Sequence, residues 1–409
     1  MSLSGNKKKI FNDPIYGFIT LPHDLILDVI DHRYFQRLRR IKQLGLTHFV
    51  YPGALHNRFH HAVGCIHLMQ QAIDIIRSKG HELTEDEELG ALLAILMHDI
   101  GHGPFSHALE FSLVEGVDHE DISTLLMNKL NKEFNGDFDT AIEIFNNTYK
   151  KKFLHQLVSS QLDMDRLDYL KRDSFYTGVS EGVISSDRLI KMIDVVDDGL
   201  VVQEKGIYSV EKFIIARRLM YWQVYLHKTV ISAEFMVVKV IERAKELAAE
   251  GADLWGSPAL KTFLYNSFTK ADFDRDDVMN AFAELDDYDV LAAIKVWANH
   301  EDKVLSRLCQ MLINRKLLKI ALQKEPIDSA TVADKLKDTC EKLGWTEKEA
   351  KYLVFTDSIS NNAYTPDNDK INILFKDGRI ADISEASDNL NIKALASPVE
   401  KYFLCYPQL

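Results

Sequence analysis

The sequence predicts a mainly α-helical protein with a small mixed α/β part towards its C-terminal end. Apolar residues recur at the three- and four-residue spacing of helices through most of the chain up to about residue 348. Short runs of β-forming residues then take over, and the Asp377-Gly378 dipeptide between two of them is typical of a hairpin turn. We therefore expect a helical body over residues 1–325 and a mixed α/β appendage over residues 326–409.

The first segments are predicted from their β-forming and helix-breaking residues. Residues 10–21 combine β-forming side chains with a Pro and a Gly, which indicates a short turn or hairpin. Two short helices are predicted over residues 24–30 and 32–43, and Gly45 ends the second. We expect residues 47–51 to be extended.

Longer helices follow. Apolar spacing predicts a long amphipathic helix over residues 57–76 and a central helix over residues 85–99. Residues 119–134 and 153–172 continue the helical pattern. The Glu204-Lys205-Gly206 segment separates two apolar runs, which indicates a hairpin.

The second half of the chain returns to helices before its composition shifts. Residues 210–250 and most of residues 257–348 have helical spacing. Short strands are then predicted over residues 352–355, 371–375, 379–383 and 402–406.

Composition excludes several classes of protein. With 46% hydrophobic and 27% charged residues, the chain is neither disordered nor membrane-embedded in type. The longest apolar run, residues 91–97, is too short to span a bilayer. The net charge of −12 argues against nonspecific nucleic-acid binding. No apolar segment typical of a signal peptide follows Lys9, and the four scattered cysteines indicate reduced thiols, so we expect a cytoplasmic protein.

Two adjacent polar residues end the central apolar helix. His98 and Asp99 follow a run that would lie in a protein core, where an imidazole and a carboxylate need hydrogen bonds, charged partners or a metal. Taken alone, the pair is better explained as a hydrogen-bonded helix end.

Two other segments supply side chains that favour the metal. Asp165 lies on the apolar face of the 153–172 segment, and His61 lies near the start of the 57–76 helix. Asp168 is interpreted differently, as the salt-bridge partner of Arg172 four residues later.

The predicted ligands of one divalent ion are therefore two imidazoles and two carboxylates: His61, His98, Asp99 and Asp165. Such a set leaves positions open for water, which is typical of a catalytic site. The ligand types do not choose among Fe, Mn, Zn, Ni and Mg.

These residues reproduce the H…HD…D signature of HD-domain phosphohydrolases. Three stretches extend the match: His-Asn-Arg-Phe-His-His at 56–61, His-Asp-Ile-Gly-His-Gly-Pro-Phe-Ser-His at 98–107, and Asp-Met-Asp-Arg-Leu-Asp-Tyr-Leu-Lys-Arg-Asp at 163–173. They resemble the deoxynucleoside triphosphate (dNTP) triphosphohydrolases, over about residues 9–230. The nearest branch carries a sterile-alpha-motif domain in vertebrates, and we expect none here.

The resemblance implies an HD-domain helical bundle that hydrolyses dNTPs to the deoxynucleoside and tripolyphosphate. It implies that Arg58 binds the phosphates and that His102, His107 and His119 line the phosphate pocket. His107 is the residue expected to assist cleavage, helped by His119 and Glu110. The family usually has Asp where Glu110 stands.

The resemblance also implies a set of substrate-binding residues. Gln43 and Leu44 match residues that pack against the deoxyribose, and Asp173 matches the residue that accepts its 3′-hydroxyl. Arg166 stands where the nearest relatives have Lys, and Tyr169 and Tyr225 match positions around the nucleotide.

A further set matches an activating site in the nearest relatives. Asp31, Gln36 and Arg39 match the residues that read guanine there, and Lys9 and Asn12 match neighbouring phosphate and interface positions. Because that site lies between subunits, the match implies a GTP or dNTP activator and a homodimer or homotetramer.

Two other functions remain open from the sequence. One is an HD phosphohydrolase that acts on another nucleotide or phosphoester, such as a monophosphate, a cyclic nucleotide or an alarmone. The other is a nucleotide-sensing scaffold without turnover, which would have lost a metal ligand. None of the four predicted ligands is missing.

Overall fold

The structure, a computed structural model, describes residues 9–106, 109, 116–365, 370–389, 395 and 397–409. It confirms the mainly helical fold with a small mixed α/β C-terminal part. The helices of the first half are α1 (Asp24–Asp31), α2 (Arg33–Gln36), α3 (Arg58–Ser78), α4 (Glu85–Met97), α5 (His119–Glu133), α6 (Asp139–Phe145), α7 (Lys152–Val158), α8 (Met164–Thr177) and α9 (Ser186–Met192). Those of the second half are α10 (Ile207–Met220), α11 (Lys228–Ala249), α12 (Pro258–Tyr265), α13 (Asp276–Glu284), α14 (Asp287–Trp297), α15 (Lys303–Ile313), α16 (Ser329–Leu343), α17 (Glu347–Ala350) and α18 (Ile383–Ala386).

Three small sheets accompany the helices. Their strands are β1 (Ile10–Asp13), β2 (Gly17–Thr20), β3 (Ile193–Val196), β4 (Gly199–Gln203), β5 (Lys319–Gln323), β6 (Phe355–Asn361), β7 (Asn372–Leu374), β8 (Ile380–Asp382) and β9 (Val399–Tyr406). β1 and β2 form the predicted hairpin, with Ile10 opposite Thr20. The other two sheets have the strand orders β3-β4-β7-β8 and β5-β9-β6.

The C-terminal strands join sheets that begin earlier in the chain. β7 pairs in parallel with β4, so that Val202 lies opposite Ile373. β9 lies between β5 and β6. The turn predicted at Gly378 connects β7 to β8, and its φ of +87° is the left-handed conformation that glycine adopts readily. The division of the chain near residue 325 stays a prediction.

Two predicted segments were wrong. Residues 47–51 are not extended, because the Thr47 amide donates to the Leu44 carbonyl and Thr47–Phe49 forms a helical turn. Glu204–Gly206 is not a hairpin turn but a helical turn that leads into α10. The hairpin in this region is formed by β3 and β4. Asp197 and Asp198, both at positive φ, form the turn between these strands, and no turn was predicted at this Asp-Asp pair.

Other predicted elements have different bounds. The 153–172 segment is two helices, since the Asp163 side chain accepts the Arg166 amide at 2.7 Å and starts α8 there. The predicted helix over residues 32–43 ends early, at Arg40. The 210–250 helix is interrupted by a π-helical turn at Tyr221–Tyr225, and residues 352–354 are not a strand, since β6 begins at Phe355.

The core that positions the site is built from α3, α4 and α8. α3 packs against both other helices. The apolar run from Ala91 to Met97 at the end of α4 is fully buried. The side chain of Asn57 caps α3 by accepting the His60 amide at 3.2 Å. In the described part of the chain, no helix is both long and apolar enough to cross a membrane.

Glu87 anchors the start of α4 to the following helices. It is 2% exposed, and its carboxylate accepts the Lys151 ammonium at 2.6 Å, the Tyr149 hydroxyl at 3.0 Å and the Thr84 amide at 3.0 Å. Burial would raise the pKa of Glu87, but these hydrogen bonds outweigh burial and lower the pKa. The ionised carboxylate therefore stabilises the folded state.

We predict that Glu87→Gln lowers the free energy of unfolding at pH 7 by about 1–3 kcal/mol, because the amide loses the charge-assisted hydrogen bonds. A folded-state pKa below the ordinary glutamate value means that this stabilisation is present above about pH 4.3. The difference between variant and wild type should shrink as the pH falls through the folded-state pKa, in urea unfolding curves. Glu85→Gln, on the exposed face of the same helix, is the control. A pH-independent difference would contradict the prediction.

Candidate functional site

Four side chains predicted as metal ligands meet where α3, α4 and α8 come together. His61 lies in the first turns of α3, His98 and Asp99 directly follow α4, and Asp165 lies in the first turn of α8. His61 Nε2 is 3.0 Å from Asp165 Oδ1 and 3.7 Å from Asp99 Oδ2. His98 Nε2 is 3.4 Å from Asp99 Oδ1 and 3.5 Å from Asp165 Oδ1. Residues far apart in sequence thus place their ligand atoms around one point.

Hydrogen bonds at Nδ1 orient both imidazoles towards that point. His98 Nδ1 donates to the Ile95 carbonyl at 2.6 Å, and His61 Nδ1 donates to Asp168 Oδ2 at 2.7 Å. Each Nε2 therefore faces the carboxylates, where the neutral imidazole would bind a cation through its lone pair. His98 Nε2 makes no hydrogen bond within the described residues.

The electrostatics of the four side chains favour a cation at their centre. Burial lowers the pKa of His98, but Asp99 and Asp165 outweigh it and raise the pKa. Burial raises the pKa of Asp165, but His61 and His98 outweigh it and lower the pKa. Two buried carboxylates therefore draw positive charge onto the imidazoles. A divalent ion would meet the same need, and nitrogen and oxygen ligands of this kind suit it.

Asp168 supports this arrangement from behind His61. It makes the predicted salt bridge, accepting Arg172 Nε at 2.8 Å, and the same carboxylate accepts from His61. Arg172 also donates to Asp13 in β1, at 2.8 Å. The interpretation of Asp168 as an ion-pair partner was therefore incomplete, because the residue also fixes the orientation of a predicted ligand.

Gly64 makes room for this ion pair. A Cβ at Gly64 would lie 2.0 Å from Asp168 Oδ1 and 2.2 Å from Arg172 Nη2, both closer than atoms can approach. Only a glycine one turn after His61 lets the two buried charges pack against α3.

A second group of ligand-type side chains adjoins the first. Asp99, His102 and His119 place one ligand atom each within 4.8 Å of the others, and His61, Cys65, His98 and Asp165 form a separate group by the same measure. The His102 and His119 rings lie 3.9 Å apart between centroids. Asp99 thus lies between the predicted metal ligands and the predicted phosphate-binding histidines.

A cavity of about 420 Å³ opens beside the cluster. All seven predicted substrate-binding residues line it, and so do four other predicted site residues. Its wall consists of Gln43, Leu44, Gly45, Thr47, Arg58, Asp99, His102, Phe105, Ser106, His119, Asp165, Arg166, Tyr169, Asp173, Tyr221, Tyr225, Leu226 and Glu234. His107 and Glu110, both predicted as catalytic, lie outside the described residues.

Comparisons with known proteins agree with this geometry. Residues 58–173 match the model of the HD domain, and residues 184–254 match that of the HD-associated region. Uncharacterized protein YwfO of Bacillus subtilis (strain 168) is 34% identical over 396 residues, which cover 93% of this chain and 88% of that protein. The chain belongs to the HD-domain family of phosphohydrolases.

Two further likenesses concern structure and activity. A solved structure described as a phosphohydrolase from Bacteroides thetaiotaomicron is 53% identical, covers 98% of this chain and 100% of its own, and superposes with a TM-score of 0.94. The "deoxynucleoside triphosphate triphosphohydrolase SAMHD1 homolog" of Dictyostelium discoideum is 36% identical over 263 residues, 59% of this chain. The chain spans about half the length of that relative, 51%.

Cavity residues of this HD protein include polar atoms that lack partners. Gln43 Oε1 and Arg166 Nε are buried without a hydrogen bond among the described residues. Asp173 differs, since its two oxygens accept from His56 Nε2 and the Tyr225 hydroxyl, each at 2.7 Å. The unpaired acceptor and the unpaired donor are groups that a bound ligand would satisfy.

Arg58 begins α3 and connects two parts of the HD site. Its Nη1 contacts Asp99, and its Nε donates to Ser106 Oγ at 2.9 Å. Arg58 is 3% exposed, and its guanidinium lines the cavity. Its remaining N–H donors are therefore available to a ligand in the cavity.

Residues outside both matched HD segments fasten the loop that follows the metal ligands. Asp287, at the start of α14, accepts the Phe105 amide at 2.8 Å and the Lys42 amide at 2.9 Å. Arg37 donates to the carbonyls of Ile100, His102 and Leu285. Sequence reasoning missed both residues, because a buried polar side chain that binds only backbone has no local sequence pattern.

The predicted activator residues gather on the surface near β1. Lys9 pairs with Asp31 at 3.0 Å, and Arg39 donates to Gln36 Oε1 at 3.0 Å while stacking on the Phe59 ring. Asn12 lies on β1 opposite Phe18, a strongly exposed residue.

Several cavity residues were not predicted. Gly45, Thr47, Phe105, Ser106, Tyr221 and Leu226 lie within four residues of predicted site residues in the sequence. Glu234 does not, but it is a lone acidic residue on the otherwise apolar face of α11, and that pattern was a usable signal.

We predict that Asp168→Asn weakens metal binding roughly ten- to 100-fold, because His61 loses the carboxylate that orients it. Isothermal titration calorimetry with Mn²⁺ measures this. Asp74→Asn, an exposed aspartate on the same helix as His61, is the matched control and should bind as wild type does. Unchanged affinity in Asp168→Asn would show that this support is dispensable.

Proposed function

We propose that this HD phosphohydrolase cleaves dNTPs into the deoxynucleoside and inorganic tripolyphosphate in a metal-dependent reaction. The observation that carries the proposal is the cavity. A His/Asp cluster suited to a divalent ion adjoins the cavity, and cationic and imidazole side chains lie next to that cluster. The rest of the cavity wall includes the residues predicted to contact a deoxyribose.

The end of the cavity beside the cluster suits a triphosphate. Arg58 and Arg166 supply guanidinium groups there, and His102 and His119 supply two imidazoles. Guanidinium groups bind phosphate oxygens through paired donors and keep their charge throughout the reaction. Arg166 also contacts Asp163, which holds its side chain at the cavity wall.

The neighbouring wall suits a deoxyribose. Gln43 offers an unpaired carbonyl oxygen, and Asp173 is held in place by His56 and Tyr225. Leu44 and the Tyr225 ring fill the space beside them. A wall of this kind selects against an added 2′-hydroxyl by steric contact and by the lack of a partner.

The proposed reaction breaks the bond between the α-phosphorus and the 5′-oxygen. A water oxygen bonds to the α-phosphorus, the electron pair of the broken bond goes to the 5′-oxygen, and a proton is delivered there. A bound divalent ion would lower the pKa of that water and offset the phosphoryl charge. Arg58 stabilises the same charge, and His107, with His119, stays our proposed proton donor.

The named relatives support this choice of substrate. Proteins described as deoxynucleoside triphosphate triphosphohydrolase SAMHD1 from Gallus gallus and its homolog from Dictyostelium discoideum are 31% and 36% identical to this chain. They match 58% and 59% of it, respectively.

We predict that the metal-loaded protein converts each hydrolysed dNTP into equal amounts of deoxynucleoside and tripolyphosphate, with ribonucleotides cleaved far more slowly. Ion-exchange chromatography of all four dNTPs and four rNTPs measures both products. Asp165→Ala should remove metal retention and hydrolysis together, because it deletes a central ligand. Orthophosphate or pyrophosphate as the sole inorganic product would instead indicate another HD phosphohydrolase reaction, and full hydrolysis by Asp165→Ala would contradict the site assignment.

Regulation by a guanine nucleotide is part of the same proposal. Lys9 and Asp31 form one ion pair, and Arg39 donates to the partly buried Gln36 amide, whose nitrogen donates to the Ile30 carbonyl. These side chains supply the carboxylate, amide and cationic groups that a guanine edge and a phosphate require. In this proposal the activator binds between subunits of a homodimer or homotetramer.

We predict that Asp31→Ala reduces any stimulation by GTP at least about tenfold, because the variant loses a carboxylate that would accept from guanine. Basal hydrolysis without GTP should not change. Asp28→Ala, an exposed residue on the same helix, is the control. Initial rates over a GTP titration measure the effect, and equal stimulation in both variants would contradict this site.

A further inference from the structure

One acidic side chain in the cavity has no partner in the part of the chain that the structure describes. Glu234 lies on α11, where Val230, Ala233 and Val237 on the same face are buried in the core. Its carboxyl group lines the cavity beside Gly45, where a Cβ would lie 3.5 Å from Glu234 Oε1. It forms no hydrogen bond or ion pair with any described residue.

This partly buried, unpaired carboxyl group on the cavity wall is available to a ligand. Burial raises the pKa of Glu234 to about 8, and burial is the sole cause. The group is therefore mainly a neutral acid at pH 7, and it offers one O–H donor next to one carbonyl acceptor.

Glu234 reaches the cavity from α11, which carries no predicted metal ligand and no predicted phosphate-binding residue. A Cβ at Gly45 would lie 3.5 Å from Glu234 Oε1 and 3.6 Å from the Phe105 carbonyl oxygen, so the carboxyl group lies beside these two residues. Gly45 directly follows Gln43 and Leu44, the residues proposed to contact the deoxyribose. A triphosphate held at the cluster would direct the sugar towards Gln43 and Leu44, and the base beyond them towards Glu234.

We propose that Glu234 binds the base of the nucleotide, by pairing with a donor and an acceptor that are neighbours on the base edge. The proposal rests on the proposed function, since it places the base by placing the triphosphate first. Every standard base has such a pair on its Watson–Crick edge, and a carboxyl group that turns over matches either order. The site therefore recognises a base as a class and accepts all four.

This role predicts a change in binding rather than in chemistry. The base is remote from the bond that breaks, so its contact stabilises ground state and transition state equally and is expressed in KM. Glu234→Ala should raise KM for all four dNTPs about tenfold with kcat within about twofold. Glu234→Gln keeps a donor and an acceptor and should stay within about threefold of wild type.

A substrate without a base separates this role from a merely structural one. 2-Deoxyribose 5-triphosphate keeps the phosphates and the sugar, so its KM should be the same in wild type and Glu234→Ala. Glu242→Ala, an exposed residue on the same helix, is the matched control for all substrates. Calorimetric titration of dATP into chelator-treated protein measures the same difference in affinity without turnover.

The outcomes distinguish this proposal from the proposed function. A Glu234-dependent affinity for dATP without hydrolysis would support base binding and overturn the proposed reaction. Hydrolysis of dNTPs with KM unchanged in Glu234→Ala would overturn base binding alone, as would an equal rise in KM for 2-deoxyribose 5-triphosphate. A wild-type protein that binds no dNTP would overturn both.

Discussion

Two carboxylates and two imidazoles face one point among the core helices. The surrounding structure stabilises this concentration of charged groups. Asp99 and Asp165 each have a carboxylate oxygen within 3.7 Å of both His61 Nε2 and His98 Nε2. In a low-dielectric interior, such a group is stable only when positive charge lies among the carboxylates. A divalent ion supplies that charge and also the chemistry expected of an HD phosphohydrolase.

The neighbouring elements explain how the ligands keep their positions. Asp168 orients His61, Arg172 neutralises Asp168, and Gly64 leaves the space that both occupy. On the other side, Arg37 and Asp287 bind the backbone of the loop that follows Asp99. The site therefore depends on helices outside the matched HD segments as well as on the ligands themselves, and substitutions there should act through position rather than through chemistry.

Periodic and turn-forming sequences predicted much of the fold. The long buried helices, the first hairpin and the Gly378 turn follow from local patterns that tertiary contacts reinforce. The failures have physical causes. Asp163 splits a continuous helical pattern by capping, and the Asp197-Asp198 turn, rather than the Glu204–Gly206 segment, connects two strands through left-handed backbone. The spacing of apolar residues predicts neither the helix cap at Asp163 nor the turn at Asp197-Asp198.

For the site, motifs predicted residues that line the cavity or form the His/Asp cluster, and missed residues that bind other protein groups. The predicted residues converge because their motif spans three helices. Arg37 and Asp287 hydrogen-bond to backbone atoms, so their contacts in the folded chain were needed to find them. Glu234 comes from a helix outside the motif, and its one signal in the sequence was a lone acidic residue on an apolar face.

The central claim is that His61, His98, Asp99 and Asp165 hold one divalent ion. Anomalous diffraction at the Mn edge, from crystals of the protein grown with Mn²⁺, tests it most directly. The account predicts one strong peak within about 2.0–2.3 Å of a ligand atom from each of the four residues. A peak held instead by Asp99, His102 and His119, or one that includes Cys65 and leaves out Asp99, would contradict it.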